Sequence, residues 1–254
     1  MGFRDLDGTM LRATTAAERV IAMRPAVRNV VYLVGIVVTI ALAAHFAFDV
    51  SRAGTPAFFL IMIVPTVVLA ILGIIRAKDD GVLKSWLSVR SGDFSRGFAA
   101  AALLFGASYA FMKVVAPPES ARSSWLARLY LQLGDPSVLR KNVGLVVLAL
   151  VVASIAEEVL WRGLVVSLLE EKIGSRRAWV WAAVLYAVAH VPTIWALRDP
   201  VAGPNPVVFL AAIACGLVWG GMARRFERLL PSVFSHALFD WTVLMMFRLW
   251  GPSV

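Results

Sequence analysis

Apolar residues in this 254-residue chain neither alternate nor keep to one helical stripe. They come in long blocks separated by basic clusters, proline and glycine. A helix rises about 1.5 Å per residue and the hydrocarbon core of a bilayer is about 30 Å thick, so a spanning helix needs about 20 mostly apolar residues. Seven blocks approach that length: 29–49, 56–76, 97–116, 142–163, 178–195, 206–223 and 232–250. No polar linker, low-complexity tract or internal repeat divides them. The pattern predicts an all-α, polytopic transmembrane bundle of about seven to eight helices, with an N-terminal segment at 1–28 and a single membrane domain at 29–250.

The longest connection, 117–141, departs from the block pattern. After "APPES" it reads "SSWLARLYLQL", where Trp125, Leu126, Leu129, Tyr130 and Leu133 recur at helical spacing. Such a stripe fits a helix lying in the membrane interface, and equally a lid packed on the bundle. Basic residues elsewhere set the orientation. Arg4, Arg12, Arg19, Arg24 and Arg28 precede the first block; Arg76, Lys78, Lys84, Arg90 and Arg96 lie between the second and third. Lys172, Arg176 and Arg177 follow the fourth block, and Arg224, Arg225 and Arg228 the sixth. The alternate connections are poorer, so the positive-inside rule places the N-terminus in the cytoplasm. Arg122, Arg128, Arg140 and Lys141 break the alternation, and an eighth embedded element there would shift the topology.

Composition agrees with this reading. Hydrophobic residues make up 60% and charged residues 16% of the chain, and the mean hydropathy is +0.78, too apolar for a soluble domain of this size. The net charge of +9 sits largely between the apolar blocks, where it meets anionic lipid heads rather than nucleic acid. No phosphate loop, dinucleotide fingerprint or nucleic-acid module is present. The single cysteine, Cys215, lies within a block, which excludes an internal disulfide or a cysteine metal cage and suggests packing. The first 25 residues lack the compact apolar stretch of a cleaved signal peptide. Abundant Ala, Arg, Val and Gly suggest a bacterial chain, and hence a multi-pass protein of the cytoplasmic (inner) membrane.

Ionisable groups inside apolar blocks are functional candidates, since a charge at the bilayer centre costs about 2.5–3.5 kcal/mol on insertion scales. Three clusters qualify: Glu157, Glu158 and Arg162 in "EEVLWR", Tyr186 and His190 in "YAVAH", and His236 and Asp240 in "HALFD". Glu158 and Arg162 are four apart and share a helix face, so the guanidinium can hold that carboxylate. Glu157 is turned about 100° away, left free for chemistry. Two of the three histidines fall in these clusters, and a carboxylate with two imidazoles can activate a water. Each cluster also has a plain reading: a solvated helix end for the first, a satisfied histidine at a span end for the second, a helix-pairing couple for the third.

Taken in order, the three clusters resemble the motifs of the CPBP intramembrane proteases, which include the Rce1-like type II CAAX prenyl endopeptidases and the bacterial ABI proteins. Those motifs are Glu-Glu-x-x-x-Arg, aromatic-x-x-x-His and His-x-x-x-Asn or Asp, each on a membrane helix, and here they mark a core at about 142–250. The resemblance implies an intramembrane peptide hydrolase acting near the C-terminus of a membrane-associated protein or peptide. In it Glu157 would be the general base, His190 would help bind the water, and His236 with Asp240 would stabilise the oxyanion or ligate a metal. Glu158, Arg162 and Tyr186 would support them. If a divalent metal such as zinc takes part, making this a metalloprotease, its ligands come from Glu157, His190, His236 and Asp240; the alternative is no cofactor. Tyrosine stands at 186 where phenylalanine is commoner, and aspartate at 240 where prenyl endopeptidases usually carry asparagine. A different class of function uses the same charges to bind an ion or partner without catalysis, as in a transporter, immunity or scaffold protein.

The remaining candidates have plainer readings. His45 and Asp49 repeat the four-residue spacing but sit at the end of the first block. Trp179, Trp181, Trp195, Trp219, Trp241 and Trp250 fall near block ends, as in an aromatic belt. Gly216 and Gly220 form a small-xxx-small pair suited to close helix packing.

Overall fold

A computed structural model describes the backbone of residues 16–249 and the side chains of residues 27–245. The side chains of Arg4, Arg12, Arg19, Arg24 and Trp250, which entered the orientation and aromatic-belt expectations, lie outside the described residues. Among the described residues twelve α-helices follow in order: α1 Ala16–Ala47, α2 Pro56–Asp79, the short α3 Leu83–Trp86, α4 Asp93–Val114, α5 Ser123–Leu133, α6 Pro136–Lys141, α7 Val143–Glu158, α8 Val166–Ile173, α9 Ser175–Ala189, α10 Thr193–Ala196, α11 Val207–Phe226 and α12 Leu230–Trp241. π-Helical turns at Val159–Val165 and Thr242–Leu249 join α7 to α8 and extend α12. No strand occurs among the described residues.

Six helical stretches among the described residues are long and apolar enough to cross a membrane: Val27–Ala47, Pro56–Asp79, Asp93–Val114, Val143–Ile173, Ser175–Ala196 and Val207–Phe226. The seventh expected block differs because its α-helix is only 12 residues long before it winds into the π-helix through Leu249. The fourth block is longer than its apolar run, since the π-turn carries the helix on to Ile173. The 11-residue α5 is too short to be an eighth span.

The bundle is apolar on both sides of its helices, as a lipid solvent requires. On α1, Val27, Val31, Val34, Val38 and Leu42 are exposed, while Leu33, Ile36, Ile40 and Ala44 are buried. Of these, Leu33, Ile36 and Ile40 join Leu160, Trp161, Leu164 and Val165 of the first π-turn and Ala178, Ala182 and Tyr186 of α9 in one core cluster. Pro65 sits inside α2, a position tolerated within a packed membrane bundle.

Two local features aim α12. The α11–α12 turn is three residues long and passes through Glu227 at φ 54°, and within it the Arg228 guanidinium clasps Asp93 at the start of α4, with Nε donating to Oδ1 and Oδ2 at 3.1 and 3.0 Å. Burial of the Asp93 carboxylate is complete. This partner holds the Arg228 guanidinium above its ordinary pKa, so the pair stays charged. Gly97 lies just beyond: a Cβ there would come within 2.7 Å of Phe234 Cδ1 and 2.9 Å of the Pro231 carbonyl. The missing side chain lets α4 and α12 meet backbone to backbone.

Helix α5 is packed on the bundle, which supports the lid reading of its apolar stripe. Leu129 and Leu133 pack with Phe48, Phe58 and Leu197. The buried Gln132 amide donates to the Ala47 carbonyl at 2.8 Å, and the buried Asn205 amide donates to the Trp125 carbonyl at 2.9 Å. At its edge Arg128 meets Asp199 at 3.6 Å.

Two predictions follow from these anchors. Replacing Asp93 by Ala leaves the Arg228 charge uncompensated and lowers the unfolding midpoint in mixed micelles; adding Arg228→Met recovers much of the loss, and an unmoved midpoint in the single variant contradicts the clasp. Asp199 accepts hydrogen bonds from the amides of Ala202 and Val201, which hold its carboxyl below the ordinary value. Its stabilising contribution is therefore present above the unfolded pKa and fades as the pH falls below about 4. The hydrogen-exchange protection factor across 198–206, corrected for the intrinsic pH dependence of exchange, falls over that range in the wild-type protein and stays constant in Asp199→Asn.

Candidate functional site

The three charged clusters converge. Glu157 and Glu158 are the last α-helical turn of α7, Tyr186 lies in α9, and His236 and Asp240 in α12. Next to both acidic motifs the helix changes gauge: the π-turn starts one residue after Glu158, and the second starts two residues after Asp240. π-Turns interrupt the regular hydrogen-bond ladder and recur at functional sites. Gly163, inside the first, faces Trp86, whose ring would lie 2.6 Å from an added Cβ, so α3 closes directly on this turn.

Glu158 is the hub. Its side chain is fully buried, and one oxygen, Oε1, lies 3.0 Å from Arg162 Nη1 and 3.0 Å from His236 Nδ1. A carboxylate held ionised by Arg162 can only accept, so His236 Nδ1 carries a proton. The other ring nitrogen, Nε2, faces Asp240 Oδ2 at 3.4 Å and Glu157 Oε2 at 4.0 Å. The four-residue spacings of 158/162 and 236/240 thus place both pairs as expected. Arg162 also lies 5.0 Å over the Tyr186 ring and 5.2 Å over the Trp219 ring, aromatic faces that stabilise a buried cation.

Glu157 points elsewhere. Its side chain is 19% exposed against 0% for Glu158, which matches the expected separation of the two acids. It is not free of partners, however, because the Tyr186 hydroxyl donates to its Oε2 at 2.6 Å. The tyrosine that departs from the commoner phenylalanine is what holds this carboxylate.

His190 caps the C-terminal end of α9 and joins the group through Tyr186. Its ring meets the Tyr186 ring edge-on at 4.7 Å, and its Nδ1 lies 2.8 Å from the Tyr186 carbonyl. A carbonyl accepts only, so Nδ1 carries a proton and Nε2 is the ring nitrogen without that partner.

Among the described residues no three His, Cys, Asp or Glu side chains are grouped as a ready metal site. Nδ1 of each site histidine bonds a protein partner, which leaves Nε2 as the nitrogen a metal would need.

Trp219 departs from the aromatic-belt expectation. It is 1% exposed rather than part of an interfacial belt, and it stacks on His236 with centroids 3.8 Å apart and planes 18° from parallel. The signal was partial: Trp219 lies between Gly216 and Gly220, which pack against Ala183 and Trp179, and its own ring turns toward Leu104 and Phe239. Trp181 and Trp195 are exposed, as a belt requires. Cys215 is buried, on a wall of an apolar cavity of about 270 Å³ with Leu104, Phe111, Leu129, Leu210 and Phe239. A second, polar cavity of about 810 Å³ reaches Arg162 and Gly163 from the ends of the helices, past Ser167, Arg224 and Arg225.

Residues 139–242 match the family model described as Type II CAAX prenyl endopeptidase Rce1-like. The stretch contains all seven motif residues, and that family is not one of metalloproteases, so the metalloprotease expectation is corrected on the family. No curated protein and no solved structure matches the chain. Residues 139–242, which hold the motif side chains, are thus similar to the Rce1-like type II CAAX prenyl endopeptidases, a family of peptide hydrolases.

Proposed function

We propose that the protein is a multi-pass intramembrane endopeptidase that cleaves near the C-terminus of a membrane-associated protein or peptide, using a water activated by Glu157. The observation that carries this reading is the unequal burial of two adjacent acids. Glu158 is sealed and committed to Arg162 and His236, while Glu157 is reachable, oriented by the Tyr186 hydroxyl and 4.0 Å from an imidazole nitrogen. One domain at 29–250 with a catalytic core at about 142–250 agrees with the continuous packing and with the span of the family match. The distribution of basic residues supports a cytoplasmic N-terminus, and the composition supports a bacterial inner membrane.

In this mechanism Glu157 takes a proton from water as the oxygen adds to the scissile carbonyl carbon. His190 accepts a hydrogen bond from that water through Nε2. The carbonyl oxygen becomes an oxyanion facing the N–H of His236 Nε2, which Asp240 holds in place rather than contacting the oxyanion itself, since two anions repel. Collapse of the tetrahedral intermediate breaks the C–N bond, and Glu157 returns its proton to the leaving nitrogen. No metal takes part in these steps. The family description gives the first substrate class to try, a prenylated cysteine near a C-terminus; Asp240, in place of the asparagine usual in prenyl endopeptidases, makes the unprenylated peptide an equally necessary probe.

The test uses the full chain in proteoliposomes with a farnesylated CaaX reporter peptide and its unprenylated counterpart, and identifies products by mass spectrometry. Glu157→Gln lowers the cleavage rate about 10³-fold with an unchanged unfolding midpoint. Wild-type cleavage by that variant overturns the mechanism, and solute transport without any cleavage favours the non-catalytic class. Tyr186→Phe, which only releases the Glu157 carboxylate, loses about tenfold or less in kcat.

A further inference from the structure

Of the two hydrogen-bonding nitrogens of His236, only one is firmly held. Nδ1 has Glu158 at 3.0 Å, whereas the partners of Nε2 lie at 3.4 and 4.0 Å. A terminal torsion onto a flat ring is soft, so one bond through Nδ1 fixes a pivot and leaves the ring plane undetermined. The mechanism needs that plane, because it sets where Nε2 points.

Trp219 supplies it. Its indole covers the imidazole face at 3.8 Å and 18°. The indole N–H donates to Ser235 Oγ at 3.1 Å, on the residue before His236, so the indole is tied to the same turn that it stacks upon. Helix α11 brings it there because Gly216 lies against Ala183, where a Cβ would be 3.0 Å from the Ala183 Cβ. The Arg162 guanidinium 5.2 Å from the indole links this stack to the Glu158 hub.

Resting on the hydrolytic reading above, we propose that Trp219 is a positioning residue for that site: it fixes the plane of His236 so that Nδ1 stays on Glu158 while Nε2 faces Glu157, Asp240 and the reacting carbonyl. A tryptophan that merely fills the core would affect stability and leave turnover per folded molecule unchanged. A positioning tryptophan affects kcat, and another flat ring rescues it.

The experiment compares Trp219→Leu, Trp219→Phe and Ser235→Ala in proteoliposomes with the reporter peptide that the wild-type protein cleaves, corrected for the folded fraction. Trp219→Leu loses about 100-fold in kcat, as expected for a displaced catalytic group, with KM changed less than about twofold. Trp219→Phe, keeping a flat ring, recovers most of that loss, and Ser235→Ala, keeping the stack without its tether, falls between wild type and Trp219→Leu. Equal kcat losses in the Phe and Leu variants, or no loss per folded molecule in either, overturn the proposal. A second measurement needs no substrate. An imidazole stacked on an indole quenches it, so His236→Ala raises tryptophan emission in the wild-type background and leaves it unchanged in Trp219→Phe; an equal rise in both backgrounds overturns the stack. A wild-type protein that cleaves neither reporter peptide counts against the hydrolytic reading, and the emission measurement then decides the stack by itself.

Discussion

Oxygen Oε1 of Glu158 receives both a guanidinium and an imidazole at 3.0 Å in a position without solvent access. A bare charge there would be far more costly than any single packing contact, and a buried ion pair loses several kcal/mol when one partner is removed. The fold around this oxygen is shaped accordingly. Arg162 must reach it from within a π-turn, His236 must reach it from α12, and the aromatic faces of Tyr186 and Trp219 must cover the guanidinium. Helices α7, α9, α11 and α12 are therefore tied at one point by charge as well as by apolar contact.

This constraint also separates two adjacent glutamates chemically. With Glu158 neutralised and sealed, Glu157 can keep a partly open carboxylate without two anions competing for one set of donors. The Tyr186 hydroxyl then fixes one of its oxygens. The distant Asp93–Arg228 clasp and the bare Gly97 contact serve the same end from the outside, since they hold the start of α12 against α4 and so set the depth of His236. A turn of three residues between α11 and α12 leaves little slack for error.

The lid helix α5 shows how membrane proteins satisfy backbone groups outside regular spans. The buried amides of Gln132 and Asn205 bond carbonyls of Ala47 and Trp125, groups that an apolar surrounding cannot solvate. Packing and polar anchoring act together there, which is why a stripe that could equally float in the interface is found docked.

The sequence by itself determined the all-helical membrane character, six of the seven spans, and the pairing of residues four apart within one helix, because block length and helical periodicity are local properties of the chain. It also determined that Glu157 and Glu158 face different ways. It paired Glu158 with Arg162 and left Glu157 free, but it could not determine that His236, 78 residues away, would be the second partner of Glu158. Nor could it place Trp219 on His236 or the Tyr186 hydroxyl on Glu157: these contacts depend on how α11 and α9 are rotated against α12 and α7, and all-round apolar helices give little pattern from which to read that rotation. The π-turns escaped for a related reason. The residues 159–165 suit an ordinary α-helix, and the extra residue per turn is accommodated by Trp86 against Gly163 and the Glu158–Arg162–His236 contacts, which only the tertiary structure brings together.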